Sequence, residues 1–182
     1  MRDGEVPQLR FACLRPEDLA EIALQPSQQT MLGLPGMADP ETAELACAQA
    51  VAWCARDGGR IVACFGIVEL FAGRQGYAWC MLAEGIGAAH LQLTRFIQSQ
   101  IAGCGLARLE LLARAPDIEG ELAKRPGLAF SLAWRKATPE MRWAVLLGFE
   151  PAHVLRCYGA ASETMMLFER ISPLCVPMRE AA

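Results

Sequence analysis

The chain has 182 residues, about the size of one globular domain, and its 53% hydrophobic content is enough for one buried core. The 17 Lys and Arg residues against 20 Asp and Glu residues give a formal net charge of −3, which excludes a general attraction to nucleic acid. The same composition excludes a natively disordered chain, because such chains are polar and strongly charged. We therefore expect a single domain over residues 1–182, with its core at about 9–170.

The longest apolar run, Ile61–Val68, ends at Glu69 and is far shorter than the roughly 20 residues that cross a bilayer. The first seven residues contain two acids and a proline, so they do not form the basic and then apolar pattern of a signal peptide. These observations predict a cytoplasmic protein without a membrane partner.

The eight cysteines are scattered along the chain and form no CxxC motif. The chain has only two histidines, and neither has zinc-site spacing from a cysteine pair. The sequence therefore predicts no metal site. We expect reduced thiols that pack as small hydrophobic groups.

The N-terminal part reads as a strand followed by helices. Leu9–Leu14 has strand length, and Pro16 opens a helix whose first-turn acids favour the helix dipole. We expect this helix to run to about Leu24, followed by a loop over 25–39. Asp39, followed by proline and glutamate, predicts the cap of a second helix.

Glycine turns divide the middle of the chain. The Asp-Gly-Gly turn at 57–59 separates strands predicted at 51–56 and 61–70, because a glycine pair allows the positive φ angles of a tight hairpin. A second turn at 73–76 leads to a strand at Tyr77–Leu82. The pattern predicts a three-stranded meander.

A helix and strand unit follows the meander. Apolar residues between Leu91 and Ile101 recur at three- and four-residue spacing, which predicts a helix from about Gly87 to Ala102. Gly-Cys-Gly ends this helix, and residues 106–113 resume as a strand. The unit is typical of a crossover connection.

The C-terminal part begins with a segment at 115–138 that two prolines interrupt, and we interpret it as an insertion with partial helix. Thr138 and Pro139 then predict the start of a helix that ends at Gly148. Two strands are expected at 152–158 and 163–170. We expect a loose tail at 173–182.

The segment from Glu84 to Ala88 lies where a strand leads into a helix and contains glycines at 85 and 87. Glycines let backbone amides approach a phosphate, and a helix N-terminus adds partial positive charge. A tight strand-to-helix connection without a ligand explains the same glycines equally well. Glu84 opposes anion binding unless its side chain turns away.

The order of elements and these motifs together resemble the GCN5-related N-acetyltransferases (GNAT) over roughly Leu9–Arg170. The matching features are Arg-Pro-Glu-Asp-Leu at 15–19, the Asp-Gly-Gly hairpin, the glycine turn and Leu-Gly-Phe-Glu-Pro at 147–151. Residues 141–149 are also similar to a branch of GNAT-like proteins encoded by tailed phages and prophages. The resemblance implies an α/β (α+β) fold with a mixed, mostly antiparallel sheet, flanking helices and the order β-α-α-β-β-β-α-β-α-β-β.

The resemblance also implies acetyl-CoA bound in a gap between the fourth and fifth strands. The pantetheine arm would bond the end of the fourth strand, and the pyrophosphate would contact the glycine turn. The implied cofactor-binding residues are Met81, Leu82, Ala83, Gly85, Gly87 and Ala88.

The sequence departs from the family pattern at two positions. Leu82 stands where the phosphate loop usually begins with Gln or Arg, and Ala144 stands where the family often has a tyrosine that protonates the leaving thiolate. We expect Glu69 as the catalytic base, against the alternative of an exposed strand-end carboxylate. Glu84 is a second, weaker candidate.

The basic residues between Lys124 and Lys136 flank Phe130 and Trp134 and would suit the adenine 3′-phosphate; a solvated surface is the alternative. His90 is expected as a partly exposed group on the first helical turn.

Two functions follow from the resemblance. One is an acetyl-CoA-dependent N-acyltransferase-like protein that acts on a primary amine of a small molecule or a protein, with the acceptor unknown. The alternative is a catalytically inactive GNAT-like scaffold, a phage- or prophage-related structural or interaction protein. The sequence leaves the possibility of a homodimer undecided, and no nucleic-acid partner is expected.

Overall fold

The computed structural model describes residues 8–28, 47, 50–125, 127–158 and 162–172. Within these ranges seven strands form one sheet. The strands are β1 (Leu9–Cys13), β2 (Ala50–Asp57), β3 (Arg60–Phe71), β4 (Gln75–Leu82), β5 (Arg108–Arg114), β6 (Glu150–Tyr158) and β7 (Glu163–Ile171).

The strands lie in the order β1-β2-β3-β4-β5-β7-β6. Neighbouring strands are antiparallel except for β4 and β5, which run parallel. The prediction of an α+β fold with a mixed, mostly antiparallel sheet and flanking helices is confirmed. The single parallel pair follows from the crossover connection, because a helix between two strands carries the chain back to the starting edge.

The helices that the structure describes over their full length are α1 (Pro16–Glu21), α2 (His90–Gly103), α3 (Glu119–Leu122), α4 (Ala129–Arg135) and α5 (Pro139–Leu146). Residues 26–28 and 47 are helical as well. A 3₁₀ turn at Gly87–Ala89 leads into α2. The segment predicted as a partly helical insertion contains the two short helices α3 and α4. Among the described helices, none is both long and apolar enough to span a bilayer.

Local signals account for several helix boundaries. Thr138 Oγ1 accepts a hydrogen bond from the Met141 amide at 3.2 Å and so caps α5. Gly148, with φ +91°, ends the same helix. The end of α1 differs from the prediction, because α1 stops at Glu21 instead of Leu24. Leu24 instead forms a β-bridge with Ala83, a partner that local sequence does not reveal.

Two apolar clusters cover the two faces of the sheet. The larger cluster packs α2 and α5 against one face, with Leu93, Met141 and Phe168 fully buried. The smaller cluster packs α1 against the opposite face through Leu19 and Cys54. The sheet is therefore covered on both sides where β3 and β4 lie.

The cysteine prediction is confirmed for Cys54 and Cys64, which are buried free thiols on neighbouring strands. It is wrong for Cys13 and Cys157, which are exposed. The start of the helix predicted at Asp39 and the tail at 173–182 lie outside the described residues.

Gly76 is a position where the sheet tolerates no side chain. A Cβ built there would lie 2.5 Å from Leu106 Cδ1 and 3.0 Å from the Val68 carbonyl oxygen. We expect Gly76→Ala to lower the free energy of unfolding by about 1–3 kcal/mol through overpacking. Gly59→Ala is the matched control, because a Cβ at Gly59 meets no atom within 4 Å. Urea unfolding of both variants measures the effect, and equal stability of the two would contradict this account of Gly76.

Candidate cofactor cleft

β4 and β5 pair over only three residue pairs, Gln75 with Arg108, Gly76 with Leu109 and Tyr77 with Glu110. Beyond Tyr77 each strand stays bound to its other neighbour: β4 pairs with β3 as far as Leu82, and β5 pairs with β7 as far as Arg114. The two strands therefore diverge, and one edge of β4 has no strand beside it.

A cavity of about 120 Å³ lies at this divergence, between α2 and α5. Its walls are mostly apolar, and they include Ile97 and Ile101 from α2 and Leu147 from the end of α5. Small side chains leave the space open: Ala78 and Cys80 on β4 and Ala144 on α5. This cavity is called the cleft.

The cleft reaches both faces of the sheet. Trp143 lines it on the side of α2 and α5, whereas Trp79, Gln25 and Gln28 line it on the side of α1. Side chains from both faces of the sheet therefore line the same cavity.

The direction of the β4 backbone groups follows from the ladder with β3. The Ala83 amide donates to the Val62 carbonyl oxygen at 2.9 Å, and groups alternate in direction along a strand. Cys80 and Leu82 therefore direct their backbone groups toward the cleft. The backbone groups of Met81 face β3, so Met81 offers the cleft edge no amide.

The residues after α1 cover part of this edge. The Gln25 amide donates to the Leu82 carbonyl oxygen at 3.0 Å, and the Leu82 amide donates to Gln28 Oε1 at 2.6 Å. Gln28 Nε2 donates to the Cys80 carbonyl oxygen at 3.0 Å, and Gln25 Nε2 to that of Ala83 at 3.2 Å. The backbone groups at the end of β4, which were predicted to bond the pantetheine arm, thus have partners from the chain itself.

The glycine turn faces open space. Gly85 and Gly87 have φ angles of +70° and +53°, and a Cβ at either position would meet no atom within 4 Å. The first amides of a helix have no partner within the helix, and here Gly87 and Ala88 occupy that position. The backbone shape that a phosphate needs is present, and phosphate binding itself stays a prediction.

Arg60 brings a positive charge to the glycine turn, and sequence reasoning missed it. Its Nη1 donates to the Glu84 carbonyl oxygen at 2.9 Å and its Nη2 to that of Gly85 at 3.4 Å. Arg60 begins β3, whose first residues lie beside the end of β4, as the pairing of Ala63 with Leu82 shows. No local signal marks this role, because it depends on the register of two strands.

Glu69, the predicted catalytic base, lies at the other end of β4 from the glycine turn. It is exposed, stands opposite Gly76, and its Oε2 accepts a hydrogen bond from the Gly73 amide at 2.9 Å. The structure thus places Glu69 one pair away from Tyr77, where β4 and β5 begin to part. Its role as a base stays a prediction.

Tyr77 lies at the last pair before the strands diverge. Burial is the main cause that raises the pKa of the Tyr77 hydroxyl, and the neighbouring Tyr158 and Glu110 raise it further. The phenol therefore stays protonated at neutral pH. Tyr77 thus places a protonated phenol beside the point where β4 and β5 part.

Ala144 is buried and lines the cleft, so its methyl group leaves room instead of supplying an acid. The neighbouring Trp143 is fixed by a chain of hydrogen bonds. Its Nε1 donates to Thr94 Oγ1 at 2.9 Å, and Thr94 Oγ1 donates to the His90 carbonyl oxygen at 2.7 Å. The His90 ring lies 4.9 Å from the Trp143 ring, and burial lowers the pKa of His90.

Two of the four basic residues in the segment that could suit an adenine phosphate share one carboxylate. Arg135 and Lys136 each lie 2.6 Å from the carboxylate of Glu121, and the contact with Lys136 lowers the pKa of that carboxyl. Arg135 ends α4 and Lys136 follows it, and α4 packs beside β6, on the far side of β7 from the cleft. The arrangement matches the solvated surface that the sequence left as the alternative.

Comparison with known proteins supports the fold. No family model matches the sequence, and no curated protein matches it. Among solved structures, the aminoglycoside 6′-N-acetyltransferase from Enterococcus faecium superposes with a TM-score of 0.64 at 12% identity, covering 89% of this chain and 96% of that chain.

Two further structures show the same likeness. An aminoglycoside 6′-N-acetyltransferase complexed with coenzyme A gives a TM-score of 0.59 at 12% identity, covering 89% and 96% of the two chains. The ribosomal-protein-S5-alanine acetyltransferase from Vibrio fischeri gives 0.54 at 15% identity, covering 92% and 95%. Identities this low show a shared fold, and the chain accordingly has the GNAT fold.

The packing of His90 against Trp143 leads to a measurable titration. Because burial disfavours the imidazolium, we expect an NMR titration to show a His90 pKa below its ordinary value of 6.5. Trp143→Ala admits water to the ring and should return the pKa toward 6.5. Trp134→Ala, a partly exposed tryptophan on α4, should leave it unchanged.

The same shift has a consequence for stability. The folded protein binds a proton at His90 less readily than the unfolded chain, so the free energy of unfolding should fall as the pH drops below about 6.5. The His90→Gln variant should lack this part of the pH dependence. An unshifted His90 pKa in the wild-type protein would contradict the packing described here.

Proposed function

We propose that this protein is an acyl-CoA-dependent N-acyltransferase that uses acetyl-CoA to acylate a primary amine. The divergence of β4 and β5 over an apolar cleft that crosses the sheet carries this proposal. The cleft ends at a glycine turn with open space on its outer side. The GNAT fold and its solved relatives, one complexed with coenzyme A, are consistent with it.

The contacts of Gln28 show which kind of chemical group the edge of β4 can bond. The carboxamide of Gln28 already bonds the Leu82 amide and the Cys80 carbonyl oxygen. The edge therefore has the polarity to bond an amide group. Pantetheine contains amide groups on a flexible apolar chain, which is the chemistry that this edge and these walls suit.

The residues that would hold the cofactor divide into two groups. Leu82 directs its backbone groups toward the cleft at the end of β4, and Gly85, Gly87 and Ala88 offer the turn for the pyrophosphate. The Ala83 amide bonds Val62 on β3, so Ala83 would contact the cofactor only through its neighbours. Arg60 supplies the positive charge that Leu82 cannot supply. Met81 contributes to the opposite face of β4 through its side chain, which packs with the smaller cluster.

When bound, acetyl-CoA supplies an acyl group activated as a thioester. The contribution of this chain is to hold the thioester and the amine in one place, to exclude water with the apolar walls, and to move protons. Glu69 is our candidate for the group that receives the amine proton. Tyr77, which stays protonated and lies at the narrow end, is our candidate for the group that donates one.

The acceptor is proposed only as a class. Two of the solved relatives are named for an aminoglycoside and one for an alanine of a ribosomal protein, and their names describe N-acetyl or alanine acetyl transfer. The side of the cleft near α1 bears the polar residues Gln25, Ser27 and Gln28. A polar amine entering from that side is the acceptor that we propose.

A catalytically inactive scaffold, such as a phage-related interaction protein, is the second candidate. The occupied edge of β4 favours it, because Gln28 and Gln25 satisfy groups that a cofactor would need. Ala144, which supplies no acid to the cleft, favours it as well. Binding of CoA separates the two candidates.

The first test is stabilisation by the cofactor. A ligand that binds only the folded state stabilises it by about 2.7 kcal/mol at 100 times its Kd, so the melting temperature should rise steadily with CoA concentration. Gly87→Glu should abolish this rise, because it places a carboxylate at the proposed pyrophosphate site.

Gly105→Glu is the matched control for that variant. Gly105 has a similar φ of +70° and open space around it. It lies beyond the opposite end of the 14-residue α2, about 20 Å from the glycine turn. The control should keep the CoA response. No response of the wild-type protein at millimolar CoA would refute the acyltransferase proposal.

The second test concerns Glu69. Glutamine retains an oxygen that can accept from the Gly73 amide, so Glu69→Gln should preserve the turn while removing the base. We expect kcat for CoA release, assayed with aminoglycosides and N-terminal peptides as acceptors, to fall about 100-fold or more with KM little changed. An unaltered kcat would assign the proton transfer to another group.

A further inference from the structure

The Gln28 side chain makes contacts that a neighbouring strand would make. Along the free edge of β4, the Cys80 carbonyl oxygen and the Leu82 amide point the same way, two residues apart. A strand lying parallel to β4 would donate to the first group and accept from the second. Gln28 does both with one primary carboxamide, at 3.0 and 2.6 Å.

Gln28 belongs to a short segment that lies beside the same edge: Leu24 forms a β-bridge with Ala83, and residues 26–28 are helical. We call residues 24–28 the edge strap. Gln25 extends the contact, because its amide donates to the Leu82 carbonyl oxygen and its Nε2 to that of Ala83. Both backbone groups of Leu82 therefore have partners in the edge strap.

The apolar packing of the edge strap is concentrated at its first residue. Leu24 is 8% exposed and belongs to the smaller cluster on the α1 face. Pro26 is exposed, and Ser27 and Gln28 are half-buried. The side chain of Gln28 can therefore leave β4 without uncovering the core, and its departure breaks two neutral hydrogen bonds to the β4 backbone.

This geometry creates a competition if the proposed function holds. The Leu82 amide has a single hydrogen, so the Gln28 carboxamide and a ligand amide cannot both bond it from the cleft side. Leaving the β4 backbone groups unpaired is unfavourable, because a buried backbone donor or acceptor needs a partner. The edge strap meets that need when the cleft contains no ligand.

We propose that Gln28 is a latch on the cofactor edge, which closes β4 in the free protein and is displaced when the amide chain of an acyl-CoA binds there. The inference rests on the proposed function. The apparent affinity for the cofactor is then the intrinsic affinity reduced by the fraction of molecules with the latch open. Removing the latch should raise the apparent affinity.

The test is titration calorimetry of CoA with the full chain and three variants. Gln28→Ala removes both hydrogen bonds, and Gln28→Met removes them while keeping the side-chain length. We expect both variants to bind CoA about tenfold more tightly than the wild type, as removal of two neutral hydrogen bonds implies. Ser27→Ala is the control, since no hydrogen bond in the described residues joins its side chain to β4, and it should bind like the wild type.

Hydrogen exchange of the Leu82 amide gives a second readout that needs no cofactor. This amide should exchange faster in Gln28→Ala and Gln28→Met than in the wild type, and at the wild-type rate in Ser27→Ala. Saturating CoA should restore slow exchange in the two Gln28 variants, because the cofactor then occupies the same group.

The outcomes separate the latch from the function. If the wild type binds CoA and both Gln28 variants bind it equally or more weakly, the latch is refuted while the acyltransferase proposal stands. If none of the four proteins binds CoA, the proposed function fails and the latch fails with it. Faster Leu82 exchange in that case would identify the edge strap as a fixed structural contact.

Discussion

β4 and β5 pair with each other over only a short stretch, because each pairs along its length with a different strand. This pairing is the constraint on which the rest of the structure depends. β3 holds β4 as far as Leu82, and β7 holds β5 as far as Arg114, so the two strands can share only three pairs. Their divergence opens the cleft. It also leaves backbone groups at Cys80 and Leu82 that need partners, and the edge strap supplies them. One separation of strands thus produces both the candidate site and the contact that closes it.

Mostly apolar side chains line the cleft, and charged and polar side chains lie near the two ends of β4. Small residues such as Ala144 keep the cleft open. Positive charge comes from Arg60 beside the glycine turn, whereas the half-buried Tyr77 and the exposed carboxylate of Glu69 lie where β4 and β5 begin to part. Charged and polar side chains therefore lie at opposite ends of β4.

Local sequence predicted much of the fold correctly. The Asp-Gly-Gly hairpin, the meander, the long helix and the final pair of strands all rest on turn residues and on periodicity, which act over a few neighbouring residues. The prediction for the end of α1 is wrong, because Leu24 forms a β-bridge with Ala83. The glycine turn was found for the same local reason as the hairpin: glycine permits positive φ angles at 85 and 87.

The sequence by itself determined most strands, the long helix and the glycine turn, because each depends on side-chain alternation or on the conformational freedom of adjacent residues. Only the tertiary structure decided which polar groups meet in the cleft. Arg60 reaches the glycine turn from 24 residues away, and Gln28 reaches the Leu82 amide from 54 residues away. A glutamine or an arginine gives no local signal of such a partner. Its hydrogen bonds exist only after the sheet has set the register of its strands.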